Sequence, residues 1–210
     1  MIRKAGFFAI RAAILAALSL ASASCSGWWG GVDLTRQRSV DHKLRTVVEK
    51  SIPADAPVFE IRLGSSANFS ETMDILSVTF FDSVAQEVKC QSVILAGSYA
   101  PRDWSVDCGL RGCKVGDGAI LADIDMSHIA SNIAAASKMM ADAGKPFSGI
   151  ESYVITPGAD PRALRHTFTL ESKAGAKRGV TRNGRLGTTI EYYTFDFSAD
   201  SQGDVTYLGE

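Results

Sequence analysis

The chain reads as an α+β protein built from two helix-plus-antiparallel-sheet units, the order α-β4 occurring twice. Three observations predict this. Two stretches carry apolar residues at helical spacing, and each is followed by a series of short strand-like runs. Each element of the second series also lies roughly 85 to 100 residues after its counterpart in the first, the mark of a duplicated unit.

The first unit spans residues 39–124. Val40, Leu44, Val47 and Val48 fall on one helical face, with Ser39 as N-cap and Pro53 as the stop. Strand runs follow: PVFEIRL (57–63), ILSVTFFD (75–82), VKCQSVILAG (88–97) and GDGAILADI (116–124). Leu76, Val78 and Phe80 alternate with Ser77 and Thr79, the pattern of a strand buried on one face. The second unit spans residues 125–210. Ile129, Ile133, Ala136 and Met140 line one helical face, Asp125 is placed to cap the helix, and Gly144 with Pro146 ends it. GIESYVIT (149–156), RHTFTLES (165–172), TTIEYYTFDF (188–197) and GDVTYL (203–208) are its strands, with Phe168 and Leu170 alternating against Thr167 and Thr169. In outline this resembles cystatin-like folds and the tandem helix-plus-sheet layout of proteinaceous β-lactamase inhibitors. The resemblance is one of topology, with no motif of either family, and topology alone assigns no function.

Ahead of these units stands a leader. Arg3, Lys4 and Arg11 precede an apolar run from Ala12 to Leu20, followed by small residues and Cys25. These are the three parts of a secretory signal peptide, residues 1–24. The apolar run of about nine residues is roughly half of what a helix needs to cross a bilayer. Two processing readings compete. Ala21-Ser22-Ala23 fits an A-x-A cleavage site that releases a soluble chain. Ala21-Ser22-Ala23-Ser24-Cys25 also resembles the bacterial lipobox, with Ser22 where Leu is usual. That resemblance implies that Cys25 becomes the lipid-modified first residue of the mature protein, and residues 25–38 then serve as a tether. Ser26, rather than Asp, after the Cys resembles the pattern of outer-membrane lipoproteins facing the periplasm. Trp28 and Trp29 suit a membrane interface, where ring and N–H find different surroundings, or else they pack on the domain.

Losing the leader removes three basic residues and no acidic one, so the formal charge of −1 becomes about −4. That balance opposes a dedicated nucleic-acid binder, which carries a basic surplus. Four cysteines in an exported chain suggest disulfides. Cys108 and Cys113 bracket CGLRGC, whose glycines let a short loop close on a local bridge. Cys90 lies in a strand-like run and fits a buried free thiol; an unlipidated Cys25 would instead allow two bridges.

Few residues present themselves for chemistry. His42, His128 and His166 are far apart, each in a different element, and a lone His is usually structural. No H-E-x-x-H, G-x-S-x-G or P-loop is present, and no cofactor motif. Asp117, Asp123, Asp125 and His128 lack the tight oxygen-ligand spacing of a calcium loop, and no zinc pattern occurs, so no metal is expected. Asp123 and Asp125 show no contrast of environment that would pair them as catalytic carboxylates. The sequon Asn68-Phe69-Ser70 matters only in a eukaryotic secretory pathway.

The most distinctive surface feature is ESKAGAKRGVTRNGRLG, residues 171–187. Lys173, Lys177, Arg178, Arg182 and Arg185 crowd a single segment of an otherwise acidic protein. Asn183-Gly184 is the pair a type I′ turn demands, so the segment is expected to form a protruding basic hairpin. Such a hairpin contacts an anionic partner, or merely keeps an exposed edge from aggregating. The expectation is a non-enzymatic cell-envelope lipoprotein, held on the membrane by a lipid anchor, that binds a protein or an anionic envelope polymer. The alternatives are a secreted or tethered hydrolase and a secreted enzyme inhibitor.

Overall fold

The computed structural model describes residues 31–95, 102–104, 115–158, 160–182 and 185–209. The fold is mixed: a large antiparallel sheet forms a single core with two helical segments. Chain order runs β1 (Val32–Asp33), helix α1 over 37–51, β2 (Pro57–Gly64), β3 (Thr72–Met73), β4 (Ile75–Asp82), β5 (Glu87–Ile94), β6 (Arg102–Trp104) and β7 (Ala119–Ile120). It continues with α2 (Ile129–Asp142), β8 (Gly149–Thr156), β9 (Arg165–Arg182), β10 (Arg185–Ala199) and β11 (Val205–Tyr207).

The nine-stranded sheet is ordered β11-β10-β9-β8-β2-β4-β5-β6, with β7 paired to the start of β2. Each half of the chain therefore lays down a meander, and the two meanders join through their first strands. At the seam Ile61 pairs with Ile155 and Leu63 with Tyr153. Register carries apolar side chains across the whole inner face. One row runs Tyr207, Phe197, Phe168, Tyr153, Leu63, Leu76, Val93. Its aromatic part is a stack: Tyr153 and Phe168 rings are 5.0 Å apart, Phe168 and Phe197 5.6 Å, Phe197 and Tyr207 5.4 Å. The outer face alternates to hydroxyls, with Ser77 and Ser92 hydrogen-bonded across strands at 2.7 Å.

Both helices deliver the expected faces to this core. Ile129, Ile133, Ala136 and Met140 of α2 are all buried. After α2, Gly144 takes φ +71°, Lys145 N–H donates to the Met140 carbonyl and Gly144 N–H to that of Ala141, a Schellman stop that favours glycine. In α1, Val40, Leu44 and Val48 are fully buried. Their spacing of four would drift around an ideal α-helix; a π turn at Val40–Leu44 widens the helix and keeps them in line. Arg45 ties α1 to the segment before α2, donating to the Leu121 carbonyl at 3.2 Å and to that of Ile124 at 3.0 Å.

Three expectations are corrected. Ser39 does not cap α1: the helix begins at Gln37, and Ser39 N–H already donates to the Arg36 carbonyl. GDGAILADI is not a full strand but two short 3-10 turns around β7, which meets only Pro57 and Val58; the fourth strand of the first meander is β6. Val32 and Leu34, placed in the tether, are buried in the core, because β1 pairs with β3 and Leu34 N–H donates to the Glu71 carbonyl. Cys25, Trp28, Trp29, Cys108 and Cys113 lie outside the described residues. Cys90 is a free, half-buried thiol on β5. Among the described residues no helix is long and apolar enough to cross a membrane.

Candidate functional site

The segment carrying the basic cluster is a continuation of two sheet strands. β8 accompanies β9 only as far as the pair Gly149–Glu171. Beyond it, β9 and β10 run on as a two-stranded ribbon, from Lys173 paired with Tyr192 to Arg182 paired with Arg185. Lys177 sits opposite Thr189 and Arg178 opposite Thr188. The ladder leaves Asn183-Gly184 as a two-residue connection, with the conformation of that pair outside the described residues. Between Ser172 and Ile190 there is no acidic residue. The ribbon thus concentrates cationic positions on a strand pair that no third strand accompanies among the described residues.

Its base is built from aromatic and cationic side chains on both faces. On one face Phe69 meets Tyr192 edge-on at 5.6 Å, and Lys173 Nζ stands 4.5 Å from the Phe69 ring centre. On the other, Lys145 Nζ stands 4.1 Å from the ring centre of Tyr193. Such cation–ring contacts are each worth about 0.5–1 kcal/mol when exposed. Phe69 is held for this role. It takes φ 58°, rare for a residue with a side chain, and its N–H donates to the buried Glu171 carboxylate at 2.7 Å. The loop passes so close to β8 that a Cβ on Gly149 would come within 2.4 Å of the Phe69 Cα. Only glycine admits that approach.

A second cluster lies inside, between α2 and the inner face of the sheet. Asn132 Nδ2 donates to the Tyr153 hydroxyl at 3.1 Å, and that hydroxyl lies 3.0 Å from His166 Nδ1. With Asn132 donating, the Tyr153 proton goes to His166 Nδ1, which places the ring proton on Nε2. Nε2 and Asn132 Oδ1 are both buried without a partner among the described residues. Burial pushes the His166 pKa down to about 4; nearby His128 lowers it further and Asp125 opposes. Burial also raises the Tyr153 hydroxyl. His166 is therefore neutral at neutral pH. At the same end of the sheet lies a cleft of about 370 Å³, lined in part by Asp123, Asp125, Arg162, Leu164, Ser201 and Gln202. Asp125 is held below the usual carboxylate range by the Ser127 N–H, which donates to it at 2.7 Å.

The structure brings together two of the three histidines that looked isolated in sequence. His128 is the residue preceding α2, 3.8 Å from Asp125 across their nearest N and O atoms, and its field reaches His166. His42 is exposed on α1 beside Asp41. Among the described residues no group of three or more His, Cys, Asp or Glu side chains is placed to hold a metal ion. Asp125 does not cap α2 directly but fixes the turn ahead of it. Sequence reasoning missed Phe69, Lys145, Tyr192 and Tyr193, which take meaning only from the ribbon they surround. It also missed Asn132, whose signal was legible: a polar residue on the stripe of Ile129, Ile133 and Ala136 asks for a buried partner.

No protein-family model, characterised protein or solved structure matches this chain.

Proposed function

We propose that this chain is a non-enzymatic envelope lipoprotein, lipidated at Cys25, that faces the periplasm and binds an anionic envelope component through the β9–β10 ribbon. The observation that carries the reading is the ribbon itself: five cationic positions, Lys173, Lys177, Arg178, Arg182 and Arg185, against one acidic position, Glu191, set on a base where lysines lie over aromatic rings. A chain that is acidic as a whole otherwise disperses its charge, so a field of one sign on one projection favours a partner of the opposite sign. The helix-then-meander order of each half supports reading the fold as a duplicated α-β4 unit, cystatin-like in outline, and the inhibitor alternative rests on that outline. The cleft beside Asp125 and His128 is what favours a hydrolase. Against that alternative, His166 is wholly buried and spends Nδ1 on Tyr153, so it meets no substrate.

Two measurements test the reading. The mature protein taken from bacterial membranes is expected to begin at Cys25 and carry acyl mass; an unmodified chain starting at Ser24 would refute the anchor. Lys177→Glu with Arg178→Glu is expected to release the unanchored protein from isolated envelopes, and unchanged retention would refute the ribbon as the contact.

A further inference from the structure

The geometry points to a specific partner for the ribbon: the anionic phospholipid surface of the same membrane that holds the Cys25 lipid, on which the ribbon end of the molecule docks flat. This rests on the anchored reading above for the identity of that membrane.

The chain enters the fold at the ribbon end. β1 begins immediately after Gly31, which is packed against Thr72 and Met73, and Leu34 N–H is bonded to the Glu71 carbonyl. That clamp is four residues or fewer from Phe69, which packs on Tyr192 at the ribbon base. Gly31 is six residue steps from Cys25, a reach of about 20 Å when fully extended. An acyl chain on Cys25 therefore holds the ribbon end, rather than the opposite end, against the bilayer.

That end also exposes apolar and cationic side chains together. Ile75 and Ile94 face each other across β4 and β5 in the last row of the sheet there. Met139 lies in the last turn of α2, and Lys145 just beyond reaches Tyr193. With Tyr192 and Tyr193, these make most of the large apolar side chains the described surface leaves exposed; Val84 sits in the turn at the opposite end. Exposed acids at this end are Glu71, Asp142, Glu151 and Glu191, outnumbered by Lys145, Lys173 and the four cationic positions farther along the ribbon. Tyrosines flanked by lysines, with exposed Ile75, Ile94 and Met139 at the same end, match the headgroup layer, where rings rest at the interface and cations meet phosphates. A polymer of carboxylates would use the charge and leave the exposed Ile75, Ile94 and Met139 without a role. One lipid anchor and one basic patch are also the two signals that make peripheral attachment lasting.

The test uses the whole mature chain with Cys25→Ser, so that no lipid contributes. Vesicles of three parts phosphatidylcholine to one part phosphatidylglycerol are floated with it, beside pure phosphatidylcholine vesicles and purified peptidoglycan. Binding to the anionic vesicles alone is expected. Each cation near the surface is worth about fivefold in partition, so Lys177→Glu with Arg178→Glu should lower binding by at least about tenfold. Tyr192→Ala should weaken binding without changing its dependence on salt. Arg162→Glu with Arg165→Glu, the same charge change at the far end of β9, should leave it unaltered; circular dichroism verifies that each variant is folded. Equal binding to neutral vesicles, or equal loss from either pair of reversals, would overturn the inference. Binding to peptidoglycan and not to anionic vesicles would overturn it while leaving the proposed function standing, and binding to neither would remove both.

Discussion

The Tyr153 hydroxyl and His166 Nδ1 lie 3.0 Å apart with neither residue open to solvent. The pair sits where α2 closes over the aromatic row, so its protonation state is tied to the docking of that helix. His166 has its pKa depressed from 6.5 to about 4 in the fold. The unfolded chain takes up the proton first as pH falls, so the stabilising effect of a neutral His166 is complete above pH 6.5 and lost between there and about 4. Denaturant unfolding at pH 7 and at pH 4.5 should differ by about 2–3 kcal/mol from this group alone. His166→Phe should flatten that interval. An equally steep decline in the variant would assign the acid sensitivity elsewhere.

Removing the hydroxyl between the two partners should cost more than the bond itself. Tyr153→Phe leaves the Asn132 amide and His166 Nδ1 buried and unpaired, a loss of about 1–3 kcal/mol. The cycle with Asn132→Ala isolates the coupling, expected at about 0.5 kcal/mol or more because the groups share one network. Strict additivity would mean that the three side chains do not act together.

Gly203 turns the chain between β10 and β11 at φ +82°, and a Cβ there would come within 2.9 Å of His128 Nδ1. Gly203→Ala meets both a strained backbone and a crowded ring, and should destabilise by more than about 1 kcal/mol. Gly64, in β2, has open space where a Cβ would go. Gly64→Ala should be neutral or mildly stabilising in the same thermal melt, which separates strain from a general intolerance of alanine.

Glu171→Ala takes the acceptor from the Phe69 N–H. The expected result is local: the Phe69 amide loses its protection from hydrogen exchange, while the aromatic row keeps its own. Phe168→Ala, by contrast, opens that row between Tyr153 and Phe197 and should cost about 3–5 kcal/mol of global stability. A global loss of similar size from Glu171→Ala would mean that the loop is integral to the core.

The legible parts of this fold are those whose causes are local. Ile129, Ile133, Ala136 and Met140 announce α2 because a 3.6-residue period puts them on one side, and Gly144 announces its end. The strands at Ile75–Asp82 and Gly149–Thr156 coincide with the runs read from alternation. The basic ribbon is visible through its composition and its Asn-Gly pair. What escaped depends on distant partners. Ala119 and Ile120 are apolar enough for a strand, but only the first two residues of β2 are free to pair with them, so the run breaks into turns. The entry of Val32 and Leu34 into the core depends on β3, a two-residue strand with no periodicity to read. His128 and His166 share an environment only because β9 passes beneath α2, and Phe69 takes its role from a loop laid across the sheet.

The seam between β2 and β8 has a consequence for how the molecule is made. Ile61 and Ile155 meet from opposite halves of the chain, so the edge of β2 waits uncovered until most of the sequence has emerged. An isolated half would present that long apolar edge to its own copies, the circumstance that invites strand exchange and fibrous association. Truncation after the first meander should therefore yield aggregates rather than a small folded domain.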